Sequence, residues 1–225
     1  MTQTNKNIGS CFICNKENIS YRAITNHVTK CFKAKNKLDD NDTGNNETFL
    51  IHLVSYKIFW LYVEAPAQVE LRELDSFLRD IWLECCGHLS CFENGEHRYE
   101  NVCDNTFGLP SFGPPPEDMS LTLKQFFLDE EKFNYQYDYG STTEISGKLI
   151  GIRKGMLKNN QIRVLARNTL PELECQNCGA LPVSICSACF NFVCKKCKKK
   201  HTCEGGEYLL PIVNSPRMGV CGYTG

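Results

Sequence analysis

Apolar and polar residues change their rhythm several times along this chain, and each change predicts an element. Residues 56–65, YKIFWLYVEA, are almost continuously aromatic, β-branched or aliphatic, which predicts a strand. Leu71, Leu74, Leu78, Ile81, Trp82 and Cys85 then recur at helical spacing, predicting a helix with Gly87 as its natural stop. HLSCFENGEHRYENV predicts two short strands around a turn at Asn94 and Gly95, and the Pro/Gly-rich DNTFGLPSFGPPPEDM predicts a long loop. KFNYQYDYGSTTEISGKLIGIRKG alternates aromatic with polar residues and reads as a hairpin, and QIRVLARN supplies a further strand. One main helix against an antiparallel-rich sheet is an α+β domain.

Within the hairpin, Phe133, Tyr135, Tyr137 and Tyr139 share one face of a strand. Core packing is the expectation for that row; base stacking is the alternative, opposed by acidic surroundings. Asp138 and Glu144 have the chemistry of paired carboxylates, but on a polar hairpin face simple solvation is expected.

Outside this core the pattern is polar and rich in cysteine. The 225 residues are 42% hydrophobic, enough for one ordinary core with small appendages. No run of 18 apolar residues occurs, and MTQTNKNIGSC lacks the apolar stretch of a signal peptide, so a soluble, cytoplasmic protein is expected. In that compartment CxxC pairs predict metal ligands rather than disulfides, and the odd count of 15 cysteines agrees.

Residues 175–203 follow C-x2-C-x7-C-x2-C-x4-C-x2-C-x3-H-x-C, eight ligand-type residues that would fill two tetrahedral zinc sites. The pairs are too close in sequence for independent fingers, so alternate pairing is expected. Cys175, Cys178, Cys194 and Cys197 would hold one zinc, and Cys186, Cys189, His201 and Cys203 the other. The spacing resembles cross-brace modules such as MYND and B-box domains, except for a short HTC end; that resemblance implies a protein-interaction scaffold. About thirty residues cannot build an adequate core alone, and structural zinc can supply the missing stability. A thiol redox relay is the alternative.

Near the N-terminus, Cys11, Cys14, His27 and Cys31 follow C-x2-C-x12-H-x3-C and predict a third zinc site. The set resembles a ββα zinc finger. His27 and Cys31, four residues apart, project from one helix face; the resemblance implies a buried Ile24 at the finger's leucine position, while Asn18 stands at its aromatic position with Ile19 beside it as the substitute. Its base-facing positions would be Ser20, Ala23 and Asn26, of which only Asn26 reads bases well. Specific DNA recognition is therefore not expected.

Charge separates the ends from the middle. Residues 1–38 carry seven Lys or Arg against one Glu, residues 39–171 carry 12 basic and 21 acidic residues, and residues 172–225 carry six basic and four acidic. The basic ends either offset anionic zinc–thiolate centres or present a phosphate-binding surface. Cys85, Cys86, His88, Cys91, His97 and Cys103 are a loose set of metal-ligand types with irregular spacing. Buried, inert cysteines are the expectation there, and a further metal or thiol site the alternative.

LDSFLRDIWLECCGHLSCF together with FNYQYDYGSTTEISGKLIGIRKG resembles the plasmid pRiA4b open-reading-frame-three-like family, and relatives with a C-terminal zinc module end much like VNSPRMGVCGYTG. The resemblance implies an α+β domain and transfers no catalytic residues. The organisation expected is a zinc finger at 1–36, a linker at 37–48, the α+β core at 49–170, a two-zinc module at 171–210 and a tail at 211–225. A non-enzymatic zinc protein with three zinc ions, binding a protein partner and no membrane, is the first functional expectation. Nonspecific nucleic-acid binding through the basic ends, linked to a mobile element, is one alternative. An enzyme with a site near Cys85–Cys91 is the other.

Overall fold

The computed structural model describes residues 7–34, 46–100, 116–155, 157, 161–203 and 208–225. Its central hairpin pairs β3 (Glu47–Ser55) with β4 (Phe59–Pro66), from Thr48 opposite Pro66 to Ser55 opposite Phe59. The predicted strand at 56–65 therefore starts three residues late. Tyr56 and Lys57 form the turn, both with positive φ (50° and 58°), a conformation that hairpin turns usually assign to Asn or Gly.

Around this hairpin the remaining strands are β1 (Ile8–Cys11), β2 (Lys16–Ser20), β5 (Ser90–Asn94), β6 (His97–Glu100), β7 (Glu117–Asp118), β8 (Lys132–Tyr137), β9 (Thr143–Lys154) and β10 (Arg163–Asn168). They form one ten-stranded sheet in the order β2-β1-β10-β4-β3-β9-β8-β5-β6-β7, antiparallel except for β6 with β7. The α+β class expected from the sequence is correct, with the sheet dominant.

Every residue of β4 is buried, because helices cover both faces of the sheet. Phe49, Ile51, Leu53, Leu61, Val63 and Ala65 join the cluster containing α2 (Leu71–Leu78) and the short α3 (Leu123–Phe126). Leu50, Trp60 and Tyr62, on the alternate positions, join Ile24, Val28 and Phe32 of α1 (Tyr21–Ala34). The period of two along β3 and β4 thus divides the core into two layers.

The hairpin and helix expected as a finger belong to this second layer. β1 pairs with β10, Gly9 opposite Asn168 and Cys11 opposite Ala166, so the finger's strands continue the core sheet. Beneath α1, buried Glu64 pairs with Arg153, itself fully buried, at 3.3 Å, and the Arg153 guanidinium lies 5.4 Å from the Phe32 ring centre.

The helix expected to run to Gly87 ends earlier. After Leu78 the chain widens into a π turn over Arg79–Leu83, closed by the Glu84 N–H on the Arg79 carbonyl at 2.9 Å, and Glu84 is extended. The predicted turn falls one residue later, at Gly95 and Glu96 between β5 and β6, with Asn94 paired to His97 inside the ladder, and the hairpin from Lys132 is present as β8–β9. Phe133, Tyr135 and Tyr137 are buried in the core as expected, whereas Tyr139 lies past the strand and is exposed. Most of the predicted Pro/Gly loop lies outside the described residues.

Beyond β10, β11 (Ser184–Cys186), β12 (Phe192–Val193) and β13 (Leu209–Pro211) form a small separate sheet, order β12-β11-β13. The tail then returns to the main domain, where Ser215 donates to the Trp82 carbonyl at 2.5 Å and Asn214 exchanges hydrogen bonds with Asn168. No helix among the described residues is long and apolar enough to cross a membrane.

Candidate metal centres

Cys11 ends β1, Cys14 sits in the turn before β2, and His27 and Cys31 stand one helical turn apart on α1. Phe12 donates to the Leu165 carbonyl at 2.8 Å, tying this turn to β10. The four ligand atoms lie within 4.8 Å of one another, with Cys14 Sγ and Cys31 Sγ at 3.2 and 3.5 Å from His27 Nε2. Ile24 and Ile19 are buried as expected.

The C-terminal module gathers its ligands in two interleaved groups, Cys175, Cys178, Cys194 and Cys197 in one, Cys186, Cys189, His201 and Cys203 in the other. Cys178 Sγ lies 3.6 Å from both Cys194 Sγ and Cys197 Sγ, and Cys189 Sγ lies 3.7 Å from His201 Nε2. The interleaving follows from topology. The β11–β12 turn carries Cys186 and Cys189, while the chain after β12 brings Cys194 and Cys197 back beside the Cys175 turn, where Gln176 donates to the Phe192 carbonyl at 3.1 Å.

Tetrahedral zinc, with Zn–S of about 2.3 Å and Zn–N of about 2.0 Å, sets sulfurs about 3.8 Å apart and a sulfur about 3.5 Å from a ring nitrogen. The separations in all three groups fall close to those values. Backbone N–H groups of the CxxC turns point at the sulfurs: that of Cys194 does most to bring Cys175 down to about 6. Burial opposes the same effect at Cys186, where the Cys189 N–H and His201 still bring the thiol to about 6. Crowding acts oppositely on other members. Cys197 is pushed up to about 12, chiefly by hydrogen bonds with Cys178 and Cys194, and Cys31 to about 12 by burial and then by Cys11 and Cys14. A cation removes that conflict by letting every sulfur ionise together.

The loose set in the core separates. Cys91 is buried on β5 beside Gln136, and His97 is exposed and bonded to Glu117 at 2.6 Å. Cys103 lies outside the described residues. Cys85, Cys86 and His88, however, converge with Cys221 of the tail into a fourth group whose ligand atoms also lie within 4.8 Å. Cys221 carries no spacing signal, since its nearest partner in sequence is His88, 133 residues away. Asp138 is likewise not the solvated carboxylate expected from its hairpin position: it is buried and paired with fully buried Arg217. Glu144 is exposed, as expected.

No family profile matches the chain, and no curated protein does. Among solved structures, the crystal structure of a protein of unknown function from Methanosarcina mazei Go1 is similar over 56% of this chain and 70% of that one, at 17% identity and a TM-score of 0.43.

Proposed function

We propose that this chain is a non-enzymatic zinc protein whose metal-braced ends present a surface to a macromolecular partner, a protein in the first place. Three zinc ions occupy Cys11/Cys14/His27/Cys31, Cys175/Cys178/Cys194/Cys197 and Cys186/Cys189/His201/Cys203. One observation carries the reading: each group supplies four soft or borderline donors at tetrahedral spacing. Four protein ligands leave zinc no position for water or substrate, which favours bracing over catalysis. The resemblance of the middle segment to the pRiA4b open-reading-frame-three-like family agrees with an α+β scaffold and adds no catalytic residue.

Zinc with four thiolates keeps a double negative charge, which the exposed lysines at 195, 196 and 198–200 offset. The outer face of α1 offers Arg22, Asn26, Lys30 and Lys33 to a partner. This face is basic but lacks the arginine fork that reads guanine, so contact with nucleic acid would be to phosphate alone.

Titrating labelled duplex DNA at two salt concentrations separates these partners. A protein partner predicts no detectable binding at low salt; binding that differs little between random and genomic sequences and falls steeply with salt favours the nonspecific nucleic-acid alternative instead. Tight, sequence-selective binding that persists at high salt would overturn the reading.

A further inference from the structure

Sequence spacing does not mark the fourth group, and the three sites above do not use it. Cys86 Sγ lies 3.8 Å from Cys221 Sγ, and His88 Nε2 lies 3.2 Å from the same sulfur. These are again tetrahedral zinc separations. A disulfide between Cys86 and Cys221 would need its sulfurs at about 2.0 Å, and it would not account for the convergence of Cys85 and His88 on the same point.

The surroundings are built for a cation. His88 turns Nε2 to the sulfurs and Nδ1 toward Asp138, with Oδ1 at 3.6 Å, too long for a direct hydrogen bond but close enough for the carboxylate's charge to favour this orientation of the ring. Asp138 holds its place with a positive φ of 65° and accepts N–H bonds from Gly140 and Ser141 at 3.0 and 3.2 Å. Arg217 pairs with Asp138 and also reaches Cys85 Sγ at 3.6 Å, so an ionised Cys85 has a buried counter-charge.

Both segments that supply ligands are fixed. Glu84 accepts the Gly87 N–H at 2.6 Å, and Arg79 donates to the His88 carbonyl at 2.9 Å. In the tail, Ser215 anchors to Trp82, and Cys221 itself has a φ of 50° next to Gly222 at 76°, the bend that presents its sulfur.

We propose that Cys85, Cys86, His88 and Cys221 form a fourth four-coordinate site for zinc or a cation of like softness, and that this ion clasps the C-terminal tail to the end of α2. Binding releases the thiol protons and forms three metal–sulfur bonds and one metal–nitrogen bond. The set is closed, so its work is structural.

The test compares zinc content of the intact chain, purified under reductant without chelator, with that of Cys221→Ser and His88→Asn. Cys221 and Cys86 are exposed, so Cys221→Ser and Cys86→Ser leave the core intact, which circular dichroism checks. Each variant is expected to lose one zinc ion relative to the wild-type chain. Cobalt(II) titration of the metal-free chain should show one fewer strongly absorbing thiolate site in Cys221→Ser. Asp138→Asn should keep the site but weaken it about 10–100-fold, read by chelator competition. Equal zinc in the wild-type and Cys221→Ser chains would overturn the proposal, as would a Cys86–Cys221 disulfide found by mass spectrometry under reductant. The difference between chains reads this site alone; failure of the three-site reading would lower zinc in every chain equally.

Discussion

Gly9 and Trp60 touch so closely that a Cβ on Gly9 would stand 2.3 Å from the indole and 2.2 Å from the Arg167 carbonyl oxygen. The contact lies where the finger's first strand meets the core, and Trp60 also donates from Nε1 to Asn7 at 2.7 Å. Only a residue without a side chain lets β1 lie against β10 and over the indole at once.

Gly9→Ala should therefore cost about 3 kcal/mol or more, at the upper end for overpacking, because one clash is with backbone. Denaturant unfolding measures it. The first zinc site should weaken in parallel, since Cys11 sits two residues along the same strand. An independent finger on a linker would show neither effect on the core.

Glu64 should prove as sensitive from the opposite direction. Glu64→Ala leaves Arg153 charged and fully buried beneath Phe32, with an expected loss of about 3–5 kcal/mol. Replacing Glu64 and Arg153 together by apolar residues should recover much of it, a double-mutant cycle read by thermal or denaturant melts.

His52 stacks on Tyr62 with ring centres 4.6 Å apart, and burial brings its imidazole down to about 4 from an ordinary 6.5. Its neutral form is favoured by folding, so its contribution is complete above pH 6.5 and is lost as the pH falls toward 4. His52→Phe should make the decline of stability over that interval shallower by at most about one proton taken up on unfolding. Equal slopes for the two chains would show that His52 titrates normally in the folded state.

In the C-terminal module, Cys178→Ser and Cys194→Ser should damage the same zinc and Cys189→Ser the other. Zinc retention in double variants should be strongly non-additive within a group and additive between groups. If Cys178 and Cys189 instead prove to share a metal, the ligand atoms pair sequentially and the interleaved fold of this module is wrong.

Local chemistry made part of this legible from sequence. The β8–β9 hairpin follows alternation of Phe133, Tyr135 and Tyr137 with polar residues, and the Asn94-Gly95 pair marked the β5–β6 turn to within one residue. The CxxC pairs marked three of the clusters because their ligands lie close in sequence. β3 went unseen because Tyr56 and Lys57, not glycine, take the positive φ that separates it from β4. Helix α2 stopped early because a π turn shifts phase without any Gly or Pro to signal it. The pairing of β1 with β10 consists of backbone hydrogen bonds, which leave no mark in side-chain pattern. Asp138 and Arg217 meet across 79 residues, and Cys86 and Cys221 across 135. Contacts that distant arise only from topology, so the loose set at Cys85, Cys86 and His88 gained its fourth member, Cys221, and lost Cys91 and His97, only in the fold.

X-ray absorption at the zinc edge of the intact chain reads directly whether zinc sits in closed sulfur-rich quartets. Such quartets give four-coordinate zinc with an average of about three sulfurs at about 2.3 Å, the remainder imidazole nitrogen at about 2.0 Å, and no water oxygen. An average of two sulfurs or fewer, or a five- or six-coordinate shell containing oxygen, would contradict it.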